Sequence, residues 1–228
     1  DDIFLSHAGG SPAVTIFPRH ANGTLDDPIL LQGPGGGHVL VVKDIDGEHG
    51  PDIVLGDQGV VRYARSTGNA SFGAFVSAYL TGDLYMFDLD AAEVDATPGK
   101  DLLIASSAAS EFDGRITLVP QILNPGPAQV VPVEGAPRSV HAGDINSDGR
   151  LDIHFTLDRA GGADALCSWT PGPSLHFPLQ GIFHHQTAES PTVLIVADMH
   201  ESVYDEEGGS ITRGSPEAFV LNTGNPAL

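Results

Sequence analysis

The chain has 228 residues and a formal net charge of −20 at neutral pH, which argues against a nucleic-acid partner because such binders need a basic surface. No apolar stretch approaches the roughly 18 residues of a membrane-spanning helix, so we expect no membrane span. The one cysteine, Cys167, excludes an internal disulfide, and we expect it to be a small buried apolar residue.

Glycines and prolines, 28 and 17 in number, separate many short apolar runs, and this composition favours an all-β protein. The N-terminal part predicts three strands, at residues 2–5, 13–17 and 29–33. No signal peptide is visible, so we expect either that a leader has been removed or that the sequence is part of a longer chain.

The first acidic loop spans residues 44–52 and lies between the apolar runs 39–42 and 53–56. Oxygen-bearing side chains alternate along it, and Ca²⁺ takes about six to eight oxygens from carboxylates, amides and carbonyls. The alternative is an acidic β-turn in which a side chain accepts a backbone hydrogen bond. We predict a calcium site with the side chains of Asp44, Asp46, Glu48 and Asp52 and the carbonyl of Gly50 as ligands.

A second acidic segment begins at Asp88 and returns to a strand pattern at Asp101. Compared with the first loop it keeps the alternating aspartates but carries an insertion of about five residues. We predict a further calcium site there with Asp88, Asp90 and Asp101 as ligands, and with Glu93 or Asp95 in the remaining place.

The most complete acidic loop spans residues 144–152 and is flanked by strand-like runs, which excludes the helices of an EF-hand. Gly149 at its sixth position allows the sharp turn that lets alternate residues point inward. We predict a calcium site here with the side chains of Asp144, Asn146, Asp148 and Asp152 and the carbonyl of Arg150 as ligands.

The last acidic segment begins at Asp198, after an apolar run, and ends near Glu217. Its third position is His200, and imidazole suits Zn²⁺ or Cu²⁺ better than Ca²⁺. We therefore expect loop 198–217 to be a solvated acidic loop. A long loop of this kind is also a candidate partner-binding element.

The leading aspartates of the four segments recur about every fifty residues, which indicates a repeat architecture. Each unit contains four short strand patterns, as a propeller blade does. We predict one β-propeller domain, 1–228, with four blades of four antiparallel strands and a ring closed by pairing of the N- and C-terminal strands. Its units are about 1–33, 38–82, 83–135, 138–181 and 192–228, the last completing a blade with the first.

One strand is surplus in this arrangement, because residues 2–5 and 218–221 both match the second strand of a blade. Three solutions are open. The spare strand pairs at the edge of a blade, exchanges with a neighbouring protomer to form a homo-oligomer, or belongs to a larger propeller.

Residues 144–155 and 44–56 resemble the FG-GAP/VCBS repeats, which build the β-propellers of integrin α chains and of certain fungal and bacterial lectins. The resemblance extends over nearly the whole chain at the level of the repeat. It implies Ca²⁺ in the inter-strand loops, a secreted or cell-surface location, and recognition of glycans or proteins more often than catalysis. Some seven-bladed relatives are polysaccharide lyases.

The leading hypothesis is a non-enzymatic calcium-binding propeller that recognises a glycan or protein ligand, as a lectin-like or adhesion module. The alternatives are a polysaccharide lyase-type enzyme on the same scaffold and a structural repeat fragment of a larger surface protein. The sequence has no HExxH and no Gly-x-Ser-x-Gly motif. Five aromatic residues are candidates for stacking on sugars, although strand aromatics more often pack between sheets: Tyr63, Phe72, Tyr79, Trp169 and Phe183.

Overall fold

A computed structural model describes residues 2–33, 37, 39–95, 97–110, 112–159 and 164–170, and five strands between residues 182 and 222. These residues form strands and connecting turns, which confirms the prediction of an all-β protein. They contain no helix, and so none that is long and apolar enough to cross a membrane.

The strands form successive antiparallel sheets in chain order. The first sheet has three strands, β1 (Ile3–Ser6), β2 (Val14–Phe17) and β3 (Ile29–Leu31). The second has β4 (Val39–Lys43), β5 (Asp52–Asp57), β6 (Val60–Ala64) and, after a small hairpin of β7 (Ser66–Gly68) and β8 (Ser71–Phe72), β9 (Val76–Leu80).

The later sheets continue this pattern. The third sheet has β10 (Tyr85–Ala92), β11 (Asp101–Ser107), β12 (Gly114–Val119) and β13 (Gln129–Pro132). The fourth has β14 (Ala136–Gly143), β15 (Asp152–Asp158), β16 (Ala165–Trp169) and β17 (Ile182–Gln186). Last come β18 (Pro191–Asp198), the hairpin of β19 (Ser202–Tyr204) and β20 (Ser210–Thr212), and β21 (Pro216–Asn222), which pairs with β18.

The described residues form three apolar core clusters, each lying between two consecutive sheets. Alternate residues of one strand supply two of these clusters: Ile53 packs toward the first sheet, whereas Val54 packs toward the third. The same alternation on β11 sends Leu102 toward the second sheet and Leu103 toward the fourth. A strand that is buried on both faces has no polar face, which explains why these runs are continuously apolar in the sequence.

Cys167 and Trp169 are fully buried in the cluster between the third and fourth sheets. The prediction for Cys167 is confirmed, and burial raises the pKa of its thiol to about 12, which keeps it neutral. Trp169 is excluded from sugar stacking, because its ring is not exposed.

Both strands that the sequence assigns to the second place of a blade are present in the structure. β21 occupies the second-strand place beside β18, and β1 is the leading edge of the first sheet, where it pairs only with β2. The strand pairings of the described residues include none between residues 2–33 and 191–222. Closure of a four-bladed ring therefore stays a prediction.

Candidate metal centres

Strand register gives the three acidic loops of the four-stranded sheets the same length. The residue before each loop pairs with the loop's last residue, as Lys43 with Asp52, Ala92 with Asp101 and Gly143 with Asp152. The loops are therefore 44–52, 93–101 and 144–152. The third sheet has no insertion, and the prediction that Asp88 and Asp90 open its loop is wrong, because both lie inside β10.

The third position of each loop forms the same turn. Its side-chain oxygen accepts a hydrogen bond from the amide two residues later: Asp46 from Glu48 at 2.8 Å, Asp95 from Thr97 at 2.6 Å, and Asn146 from Asp148 at 2.9 Å. This is the turn expected of an acidic loop without metal, so it does not by itself distinguish the two interpretations.

Loops 44–52 and 144–152 also share left-handed backbone at positions four and six. The fourth positions are Gly47 and Ser147, with φ of 78° and 60°, and the sixth are His49 and Gly149, with φ of 58° and 81°. Glycine is thus not required at the sixth position, since His49 adopts the same conformation there. The two loops fold alike although their glycines stand at different places.

The ninth position of each loop is a buried aspartate, and two of the three are held by backbone amides. Asp52 accepts hydrogen bonds from Ile45 N at 2.8 Å and Ser66 N at 2.7 Å. Asp101 accepts them from Val94 N, Asp95 N and Gln121 N at 2.9–3.1 Å. These carboxylates tie each loop to the residues that follow the third strand of the same sheet.

Asp152 occupies the same place but has no such partners. It is 1% exposed, and neither of its oxygens accepts a hydrogen bond of ordinary geometry from the described residues. Burial raises the pKa of Asp152; Thr170 and the amide of Ile145 oppose the shift, while the carboxylates of Asp148 and Asp144 add to it. A buried carboxylate without partners is costly unless a cation or a proton compensates its charge.

Loop 44–52 brings three predicted ligands together. Oxygens of Asp44, Asp46 and Asp52 lie within 4.8 Å of one another, and no other such acidic group occurs among the described residues. Ligands of one Ca²⁺ lie up to about 5 Å apart, given bond lengths of about 2.3–2.6 Å. Glu48 is exposed and is not part of this group, and Arg65 Nη1 lies 3.7 Å from Asp46 Oδ2.

In loop 144–152 the other predicted ligands are engaged with the loop itself. Asp144 accepts hydrogen bonds from the amides of Asp148 and Gly149 at 3.1 and 2.8 Å, and Asp148 accepts one from the amide of Arg150 at 2.9 Å. Loop 44–52 thus contains the assembled group of carboxylates, whereas loop 144–152 contains Asp152, the buried carboxylate without hydrogen bonds of ordinary geometry.

In loop 198–217 the structure describes the β19–β20 hairpin, and His200 lies outside the described residues.

Asp88 and Asp90 link two neighbouring sheets instead of forming a loop. One oxygen of each carboxylate accepts a hydrogen bond from the backbone amide of the following residue in β10, at 2.9 Å for Asp88 and 2.8 Å for Asp90. The other oxygen accepts a hydrogen bond from a backbone amide of β14: Asp88 from Val140 at 2.9 Å and Asp90 from Ala142 at 3.0 Å. β10 and β14 are edge strands of their own sheets, so the two carboxylates cap amides that would otherwise have no strand partner.

His141 and Lys43 complete this inter-sheet cluster. His141 Nδ1 lies 3.7 Å from Asp90 and Nε2 lies 3.9 Å from Asp88, and Lys43 forms an ion pair with Asp90. Burial lowers the pKa of His141, but Asp90 and Asp88 outweigh it, so that the pKa is raised. Burial raises the pKa of Asp90, but His141 and Lys43 reverse this, whereas burial keeps the pKa of Asp88 raised.

Replacing His141 by glutamine is expected to cost stability mainly at low pH. Because the folded state raises the pKa of His141, its contribution is complete below the unfolded value and disappears as pH rises through the folded value. Since the side chain is 34% exposed, we expect a loss of about 1 kcal/mol at pH 6 and less at pH 8.5. Urea denaturation at both pH values measures it.

The matched control is His20→Gln. His20 lies 2.7 Å from Asp26, but both side chains are 54% exposed, so the change in unfolding free energy should be a few tenths of a kcal/mol at most. An equal loss at pH 6 and pH 8.5 for His141→Gln would contradict the role of its charge.

Comparison with known proteins identifies no relative of the chain. No protein-family model matches the chain, and a search of curated protein sequences finds no significant match. The function proposed below therefore rests on the loops, the sheets and the charges of the protein itself.

Proposed function

We propose that the protein is a non-enzymatic, calcium-stabilised β-propeller that recognises a glycan or protein partner. The observation that carries the metal proposal is Asp152, which is buried and accepts no hydrogen bond of ordinary geometry from the described residues. A cation or a proton can compensate a buried carboxylate of this kind, and a hard cation such as Ca²⁺ suits carboxylate and carbonyl oxygens. The assembled carboxylates of Asp44, Asp46 and Asp52 support a second site.

The proposed propeller has four blades, with the C-terminal strands completing the blade of the first sheet. Consecutive sheets pack face to face in chain order, as blades do. Among the described strand pairings one edge of β1 has no partner, and its side chains Ile3 and Leu5 are 46% and 48% exposed, so this edge is suited to a further strand.

The proposed setting is secreted or cell-surface. The ligands of both loops come partly from exposed side chains, and such open sites fit the weak range of extracellular calcium modules, about 10⁻⁴–10⁻³ M. The net charge of −20 would be partly offset by bound cations in that setting.

Calorimetric titration of EDTA-treated protein with Ca²⁺ tests the metal proposal, and an array of neutral and acidic glycans probed with and without Ca²⁺ tests recognition. We expect one or two Ca²⁺ per chain and a melting midpoint that rises with Ca²⁺ concentration, since the ion binds only the folded state. Absence of both the heat and the midpoint shift would refute calcium binding. Cleavage of a polysaccharide on the array would refute the non-enzymatic assignment.

A further inference from the structure

A cleft of about 490 Å³ opens between the first and second sheets, at the end where the acidic loops lie. Its walls come from β1, loop 44–52 and the β7–β8 hairpin. The volume falls within the range of small-molecule sites, about 300–1,000 Å³. The third sheet has no hairpin between β12 and β13, so the described part of the chain builds this wall only here.

Two aromatic rings form the apolar side of the cleft. Phe4 from β1 and Phe72 from β8 meet edge to face, with ring centroids 6.4 Å apart and planes at 86°. Both side chains are partly exposed. Because the two rings are perpendicular, one can present its face to a ligand while the other borders it.

The hairpin turn places polar groups at the rim. Asn69 and Ala70 both have positive φ, 54° and 55°, as the two central residues of a type I′ turn require. Glycine is the usual second residue of such a turn, whereas Ala70 adds a methyl group to the lining at a conformational cost of about 1 kcal/mol. The turn also presents the Asn69 amide to the cleft.

The opposite rim comes from the first acidic loop and the N-terminal segment. His49 lines the cleft and is held in place because its carbonyl accepts a hydrogen bond from Ser66 Oγ at 3.2 Å. Asp2 also lines it, and its Oδ1 accepts a hydrogen bond from the amide of Arg19 at 2.8 Å, whereas Oδ2 accepts none from the described residues. Among the described residues that line the cleft there is no lysine or arginine, so these residues offer an anionic ligand no permanently positive partner.

We propose that this cleft binds a neutral pyranose residue of a glycan. The face of one of the two phenylalanine rings suits the C–H face of a sugar ring, and the carboxylate, imidazole and amide groups at the rim suit its hydroxyls. The inference deepens the proposed function and rests on its glycan-recognition part. It also predicts that uronates bind this cleft more weakly than neutral sugars, because Asp2 and the protein's charge of −20 repel them.

Ligand-observed NMR titration of the full chain, made in bacteria, tests the proposal. The probes are the methyl glycosides of glucose, galactose, mannose and N-acetylglucosamine, with methyl glucuronide as the anionic counterpart. His49→Gly and Asn69→Gly each remove a rim group at a position of positive φ, which glycine adopts without strain, so these variants should fold. Gln58→Gly, at φ 24° in the β5–β6 turn, is the matched control outside the cleft.

At least one neutral glycoside should bind the wild-type protein with a dissociation constant in the millimolar range. Its affinity should be at least tenfold lower for His49→Gly and Asn69→Gly and unchanged for Gln58→Gly. Failure of every neutral glycoside, equal affinity in the cleft variants, or equally tight binding of the glucuronide would overturn the proposal. Melting midpoints of the wild-type protein with and without Ca²⁺ separate the two claims. A preserved calcium shift without sugar binding refutes the cleft alone, whereas loss of the calcium shift refutes the metal proposal.

Discussion

Replacing Asp152 by asparagine is expected to stabilise the calcium-free protein and to reduce its response to calcium. The asparagine is nearly isosteric but neutral, so it removes a buried charge that accepts no hydrogen bond of ordinary geometry from the described residues. We expect a gain of about 1 kcal/mol or more in the unfolding free energy in EDTA. Thermal melts in EDTA and in millimolar Ca²⁺ measure both effects.

The wild-type protein should respond to Ca²⁺ by mass action. At a concentration about 100-fold above the dissociation constant the gain is about 2.7 kcal/mol per site, or a midpoint shift of about 5–10 °C for a chain of this size. Asp152→Asn should lose the part of this shift that comes from loop 144–152. A variant that is less stable than wild type in EDTA, yet keeps the full calcium shift, would show that Asp152 is an ordinary structural carboxylate.

Replacing Asp52 by asparagine is expected to have the opposite effect in EDTA, although it stands at the same position of its repeat. Its two oxygens accept the amides of Ile45 and Ser66, and the NH₂ group of asparagine would face one of these donors. The substitution weakens hydrogen bonds to a charged acceptor and leaves one backbone amide unsatisfied. Together these effects should lower the unfolding free energy by about 2–4 kcal/mol, or the melting midpoint by roughly 4–16 °C.

Hydrogen exchange gives a local measurement of the same change. The amides of Ile45 and Ser66 should exchange faster in Asp52→Asn, beyond what the change in global stability accounts for. Asp26→Asn is the control, because Asp26 is 54% exposed and should leave the midpoint nearly unchanged. If Asp52→Asn melts like wild type in EDTA, the amide contacts of the ninth position do not stabilise the loop.

Sequence patterns located two of the three loops of the four-stranded sheets correctly. Loops 44–52 and 144–152 are each preceded and followed by clear apolar runs, and these runs became the strands that fix the loop ends. The third loop was misplaced because Asp88 and Asp90 imitate the alternating pattern inside a strand. Only the pairing of Ala92 with Asp101 shows that Glu93 is the first residue of that loop.

Two features of the candidate sites depend on tertiary distances and carry no sequence signal. Asp52 and Asp152 have the same repeat position and are both buried, and they differ in whether the neighbouring donors form hydrogen bonds of ordinary geometry. The cleft likewise joins Phe4 and Phe72 from separate sheets, which a pattern of residues along the chain does not reveal.

The carboxylates of β10 have a consequence for any rearrangement of the repeats. Asp88 and Asp90 satisfy amides of β14, whereas β4 carries Val39 and Val41 at the corresponding register positions and β14 carries Ser139 and His141. If the second and third repeats were exchanged, or the second were duplicated in place of the third, valines would face those amides. The sheets share one backbone plan, but each has become specific to its neighbour, so a repeat can be moved only together with the junction that it recognises.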